Sequence, residues 1–256
     1  MLYLGTSGWQ YDDWKGRFYP DDLPTSGWLG HYSQRFATVE VNNTFYRLPE
    51  WRTFKKWRKE TPDDFVVTVK ANRYLTHLKR LKESGPIVKT LLDAAGGLGP
   101  KLGPVLLQLP PNFQANVERL EETLAAFPPK VRLAVEFRHS SWFTDEVKAV
   151  LERRDAALCL ADRNSKALGE EWRTASWGYL RMHEGDGDPY PCYPDETMIK
   201  WADKLAAQFD PSDDIFVYFN NDGRCCAVRD AVRFAGIAAD RGLKVSRAVA
   251  EPSPVP

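Results

Sequence analysis

Residues 133–142 read LAVEFRHSSW. Leu133, Ala134 and Val135 form a short apolar run that suits a buried strand. Glu136, Arg138 and His139 follow within four positions, with Trp142 close behind. A carboxylate and a guanidinium are costly inside a core unless they are paired or wet. The stretch therefore reads as a strand whose carboxyl end opens into a polar site. Whether other strands do the same decides the fold.

Seven other β-rich runs flank it: Leu2–Thr6, Thr38–Asn42, Phe65–Lys70, Pro104–Leu109, Ala156–Asp162, Gly178–His183 and Asp214–Asn220. Segments of helical spacing lie between them, among them 51–60, 87–95, 117–127, 145–154, 197–209 and 226–240. Asn116 and Thr144 stand where they can cap the helices that follow. Eight strands alternating with helices over 256 residues fit a single (β/α)8 TIM-type barrel, expected over residues 1–251 with a Pro-rich tail at 252–256. A doubly wound open sheet is the runner-up, since rhythm alone does not close a sheet.

Strand side chains alternate between two faces. Glu40 and Asn42 share a face opposite Val39 and Val41. Glu136 and Arg138 oppose Val135 and Phe137, and Arg181 and His183 oppose Leu180 and Met182. Lys70 closes an apolar strand, Asp162 ends another, and Asn220 begins the turn after the last. One face stays apolar and the other turns polar toward the carboxyl end, which is where barrels of this type place their sites.

The motifs GTSGWQYDDWKGRFYP, VEVNNTFYRLP, VKANRYLTH, LLQLPPNF, AVEFRHSSW, YLRMHEGD and YFNND occur in this order. Together they resemble the YecE-like family, domain of unknown function 72, from Gly5 to about Ala239. The resemblance implies a TIM-type barrel and supplies no reaction.

Bulk composition excludes several classes. Lys plus Arg (35) balance Asp plus Glu (35), so no global field favours nucleic acid or an anionic membrane. No apolar run reaches the ~20 residues of a membrane span, and no secretion signal opens the chain. Cys159, Cys192, Cys225 and Cys226 form no Cys-x-x-Cys pair, so they are expected as packing residues and the chain as cytoplasmic. No Gly-rich phosphate loop or serine elbow is present, and no cofactor is expected.

The expected chemistry is that of an enzyme (hydrolase, lyase or isomerase) acting on a small polar or anionic, sugar- or phosphate-like molecule. Glu136 is expected as acid/base, with Lys70 and His183 as further catalytic groups. Trp9, Glu40, Asn42, Arg138, Asp162, Arg181 and Asn220 are the expected ligand-binding residues. Arg181 and Asn220 would form an oxyanion site reached over Trp9. The competing structural expectation is that Glu136–Lys70 and Glu40–Arg181 are ion pairs holding strands in register. Two other functions stay open. One is a metal-dependent phosphodiesterase or DNA-repair-like nuclease, with a divalent metal on His77, His139, His183, Glu136 and Asp162. The other is a non-catalytic ligand-binding protein.

Overall fold

The computed structural model describes residues 1–249; the expected tail at 252–256 lies outside them. The chain has an α/β fold built on parallel sheets. Its strands are β1 (Leu2–Thr6), β2 (Thr38–Val41), β3 (Val66–Lys70), β4 (Leu102–Gln108), β5 (Leu133–Glu136), β6 (Ala157–Leu158), β7 (Leu160–Arg163), β8 (Lys166–Ala167), β9 (Gly178–Met182) and β10 (Ile215–Phe219). The helices are α1 (Trp28–Arg35), α2 (Asn43–Tyr46), α3 (Trp51–Glu60), α4 (Ser84–Ala95), α5 (Val117–Ala125), α6 (Asp145–Arg153), α7 (Asp195–Gln208) and α8 (Cys226–Ala239). As expected, Asn116 and Thr144 cap α5 and α6, accepting from the Arg119 and Val147 amides at 2.9 and 3.3 Å.

Two sheets run β1-β10-β9-β7-β8 and β2-β3-β4-β5-β6. They share one strand position: β6 pairs with β5, Cys159 alone separates it from β7, and β7 pairs with β9. All pairings are parallel except the small β7–β8 hairpin. At the other junction, β1 and β2 have no ladder between them. The hydroxyl of Tyr32, from α1, occupies that seam. It accepts the Thr6 amide at 2.9 Å and donates to the Thr38 carbonyl at 3.1 Å. The strands are so close there that a Cβ at Gly5 would lie 2.3 Å from the Thr38 carbonyl oxygen.

The expected regular alternation fails once. Between β7 and β9 there is no helix but β8 and a loop. Asn164, Ser165 and Gly169 all take positive φ there, so the segment turns repeatedly instead of coiling.

Buried apolar side chains divide as the strand alternation requires. Leu4, Val39, Val69, Leu107, Val135 and Val217 belong to one cluster, packed with helix residues such as Phe54, Leu120 and Phe234. Leu106, Ala134, Cys159, Trp177, Tyr179 and Tyr218 form a second, between the sheets. The inner faces of both sheets therefore look at one another, and their polar residues converge at the carboxyl ends.

The cysteine expectation is overturned. Cys192, in the loop after β9, is bonded to Cys226 at the start of α8, with their Cα atoms 4.9 Å apart. The two lie 34 residues apart in sequence and carry no spacing signature. Cysteine usage therefore no longer argues for a reducing compartment. Among the described residues no helix is long and apolar enough to cross a membrane.

Candidate active site at the carboxyl ends of the strands

Arg181, between Tyr179 and His183 on the inward row of β9, is the hub of the site. It is only 1% exposed. Its Nη1 donates to Glu136 Oε2 at 2.6 Å, and its Nη2 and Nε donate to Glu40 Oε1 at 2.7 and 3.1 Å. Three strands, β2, β5 and β9, are thus tied through one guanidinium. Glu40 also accepts from Ser7 Oγ at 2.7 Å and from the Tyr179 hydroxyl at 2.5 Å. With every acceptor answered, this pair is stable where a lone carboxylate would not be.

Glu136 is equally enclosed. Its Oε1 accepts from Arg138 Nε at 2.8 Å and meets His183 Nε2 at 3.0 Å. Burial alone would raise its carboxyl, but the charges of Arg181, His183 and Arg138 outweigh burial and hold it well below the usual carboxylate range. A group so firmly ionised does not exchange protons near neutrality. Glu136 therefore stands as an ionised carboxylate that orients Arg138, Arg181 and His183, an arrangement that does not favour the expected acid/base role.

His183 is buried, and its pKa is lowered, chiefly by burial and against the pull of Glu136. In the neutral tautomer that suits these contacts, Nε2–H donates to Glu136 and Nδ1 faces the Asn220 amide at 3.5 Å. Asn220 Oδ1 in turn accepts from Asn42 Nδ2 at 3.2 Å, and the same Nδ2 reaches the Ser7 carbonyl at 3.2 Å. Both Asn42 donors are thus committed, yet its Oδ1 is buried without a partner.

Lys70 differs from every other charge here. It ends β3 and is 9% exposed. Among the described residues it has no carboxylate, carbonyl or hydroxyl partner at its Nζ, which lies over the Phe45 ring, 4.4 Å from its centroid. Burial, then the Arg181 charge, bring its pKa down to about 8, against the pull of Glu40 and Glu136. The expected Glu136–Lys70 pair is therefore not formed, whereas Glu40–Arg181 is. Phe45 also meets the His77 ring edge-on at 4.9 Å.

Of the expected ligand-binding residues, Glu40, Asn42, Arg138, Arg181 and Asn220 come together with Lys70, Glu136 and His183. Two do not. Trp9 is buried against Trp57 of α3, ring centres 5.2 Å apart, so it belongs to the helix-side core. Asp162 faces the helices as well, where its Oδ2 accepts from Trp201 Nε1 at 2.9 Å. Strand alternation explains it: Asp162 sits one residue off the inward row of Cys159 and Ala161. Nor is Arg181 an open fork for an oxyanion, because each of its three nitrogens donates to a carboxylate and the side chain is buried. The five expected metal ligands are not assembled. His139 accepts from the Ser141 amide at 3.2 Å as the cap of a short 3-10 turn, and His77 bonds Thr76 at 2.9 Å. Only Glu136 and His183 meet. Among the described residues no three His, Cys, Asp or Glu side chains are so grouped.

The sequence reading missed Ser7, Tyr179 and Phe45. Tyr179 shares the inward row with Arg181 and His183, so alternation could have found it. Phe45 lies in the one-turn α2, for which the sequence carries no period.

Comparison with known proteins gives the chain its relatives. The family described as Protein of unknown function DUF72 matches residues 3–254. UPF0759 protein YecE of Escherichia coli is 29% identical over 144 residues, 56% of this chain and 50% of YecE. UPF0759 protein YunF of Bacillus subtilis is 32% identical over 156 residues, covering 53% of YunF. The chain thus matches about half the length of these curated relatives. Among solved structures, the DUF72 family protein TM1631 of Thermotoga maritima is similar at a TM-score of 0.81 and 28% identity, over 93% of this chain and 99% of that one. SacUVDE is similar at a TM-score of 0.56 over 95% of this chain and 99% of its own; at 8% identity that likeness concerns the fold alone. On the span of the family match, together with the strand order that carries it, this chain is a member of the DUF72 family.

Proposed function

We propose that this protein is an enzyme that binds a small, hydroxylated anion at the carboxyl ends of its strands, with Lys70 as cationic anchor and proton-exchanging group. The same reading takes the eight parallel strand positions as one TIM-type barrel and one domain, its unladdered seam bridged by Tyr32. The shared inner cluster and the common polar end support it.

The observation that carries the proposal is the unpaired Lys70 amine. Glu40 and Glu136 are answered by Arg181 and Arg138, two charges against two. Lys70 is then the surplus cation, and an anionic ligand group completes it. Arg138 turns both Nε and Nη2 to Glu136 Oε1, at 2.8 and 2.7 Å, which leaves its Nη1 free among the described residues. The orphaned Asn42 Oδ1 calls for a donor, and a ligand hydroxyl supplies one. His183, neutral and anchored on Glu136, stands beside these groups as a second proton-exchanging side chain.

Calorimetric titration with inorganic phosphate, glycerol 3-phosphate and glycerate tests this reading. Binding of at least one is expected, weakened about tenfold or more in Lys70→Met, the loss of one charge-assisted contact. No binding by any of the three, or equal binding by the variant, contradicts it. If an anion binds but no solvent deuterium enters the C–H bonds of bound glycerate or its relatives, the protein binds without turning over.

A further inference from the structure

We propose that Lys70 is a covalent nucleophile, forming an imine with a small anionic aldehyde or ketone. This rests on the anionic site just described and names the substrate class.

A lysine forms imines when its amine is neutral, held in place and reachable by a carbonyl carbon. The contrast with Lys101 is instructive, because both are buried. Lys101 Nζ donates to the Arg58 carbonyl and the Thr61 carbonyl, each at 2.7 Å, and to Thr61 Oγ1 at 3.2 Å. Three acceptors fix that ammonium, and its role is structural. Lys70 Nζ has no acceptor among the described residues. Its backbone is held instead: the Lys70 carbonyl accepts from Thr44 Oγ1 at 2.7 Å. The charged groups that act on its amine are Arg181 and Arg138, which disfavour the ammonium, and Glu40 and Glu136, which favour it. The Phe45 ring face also favours the ammonium. Burial together with the two guanidiniums leaves a substantial neutral fraction near pH 8.

His77 provides a proton carrier on the same Phe45 wall. Its Nδ1 is engaged by Thr76 Oγ1 at 2.9 Å, and its Nε2 has no partner among the described residues. Burial and the Lys70 charge lower its pKa and so favour the neutral imidazole, whose unpartnered Nε2 is open to exchange a proton.

The chemistry balances with no further reagent. The Lys70 nitrogen lone pair forms a bond to the carbonyl carbon, and the carbonyl π pair moves to oxygen. The nitrogen sheds a proton to His77, which returns it to that oxygen to give a carbinolamine. A second proton, taken up from solvent by His77 and passed to the hydroxyl, lets water leave as the nitrogen lone pair forms the C=N bond, giving the protonated imine. Arg138 Nη1 takes the substrate's anionic group.

The test uses the full chain with glyoxylate, pyruvate and dihydroxyacetone phosphate, each with sodium cyanoborohydride, between pH 6.5 and 9. Peptide mass mapping then locates the trapped secondary amine. One probe is expected to label Lys70 about tenfold or more faster than any surface lysine, since an ordinary lysine is far less neutral at the same pH. The rate should rise to about pH 8 and level off. In Lys70→Arg, with an unchanged melting temperature, that label disappears while slow surface labelling persists. Labelling of Lys70 no faster than of surface lysines, with any of the three probes, overturns the proposal. If Lys70 stays unlabelled while phosphate binding is still lost in Lys70→Met, the imine falls and the anion site stands. If neither labelling nor anion binding occurs, both readings fall.

Discussion

Arg181 and Lys70 show how differently two buried cations can be used. Arg181 binds two carboxylates, so replacing it with Met leaves Glu40 with neutral donors only and Glu136 with Arg138 as its one cation. That variant should lose about 3–5 kcal/mol by urea titration, the usual cost of breaking a buried pair from one side. Acid has a related effect. The Glu136 pKa is depressed in the folded state, so its stabilisation is fully present above the ordinary carboxylate pKa and fades as pH falls through the folded value. Glu136→Gln should flatten the acid limb of the stability curve. For Lys70 the slope has the same sign, but the group's contribution at neutral pH is a cost instead of a gain. Its folded pKa of about 8 lies below the unfolded value, so between pH 8 and about 10.4 the unfolded chain holds more protons and stability rises with pH. Lys70→Met should therefore stabilise the protein at pH 7 by about 1–3 kcal/mol, with the gain shrinking above pH 8. A stability cost retained at neutral pH is what a functional lysine would carry.

At the level of elements, the β1–β2 junction is the weak point in the hydrogen bonding. One phenol serves two backbone groups there. Tyr32→Phe leaves the Thr6 amide and Thr38 carbonyl unpaired and should cost about 1–3 kcal/mol. Hydrogen exchange at the Thr6 amide should speed up more than at β3 or β10 amides; equal protection throughout would show that water or a local shift replaces the phenol. Gly5→Ala drives a methyl onto the Thr38 carbonyl and should cost about 1–3 kcal/mol by thermal melting. All eight expected strand positions are present because each carries a strong apolar row. The lack of a helix between β7 and β9 follows from local sequence too: residues 164–177 hold no apolar repeat of helical spacing, and three positive-φ positions turn the chain. The seam could not have been read from sequence. Tyr32 lies in a helix, and nothing in its spacing announces that its hydroxyl reaches between two strands.

Across the whole molecule, the polar end of the strands was legible because alternation is strict and buried charge is rare. Glu40, Lys70, Glu136, Arg181 and His183 could be placed on one face before any coordinates. Their pairing could not, since which carboxylate meets which cation depends on the stagger between strands that are far apart in sequence. Asp162 was misplaced for the related reason that a shift of one residue reverses a strand's face. Trp9 was misplaced because loops follow no period at all. The Cys192–Cys226 bond, between a loop and a helix start, likewise had no spacing to signal it. Closing a 34-residue separation, it should contribute about 3–4 kcal/mol, lost when dithiothreitol is added before urea titration.

The proposed chemistry rests on one amine, Lys70, that has no acceptor among the described residues. Its pKa can be followed directly by NMR of the lysine side chains in the native protein, with Lys70→Arg to assign the resonance. Lys70 is expected to titrate near 8 and to move upward when phosphate binds. An amine titrating at the ordinary value of about 10.4, unmoved by phosphate, would contradict the proposed chemistry.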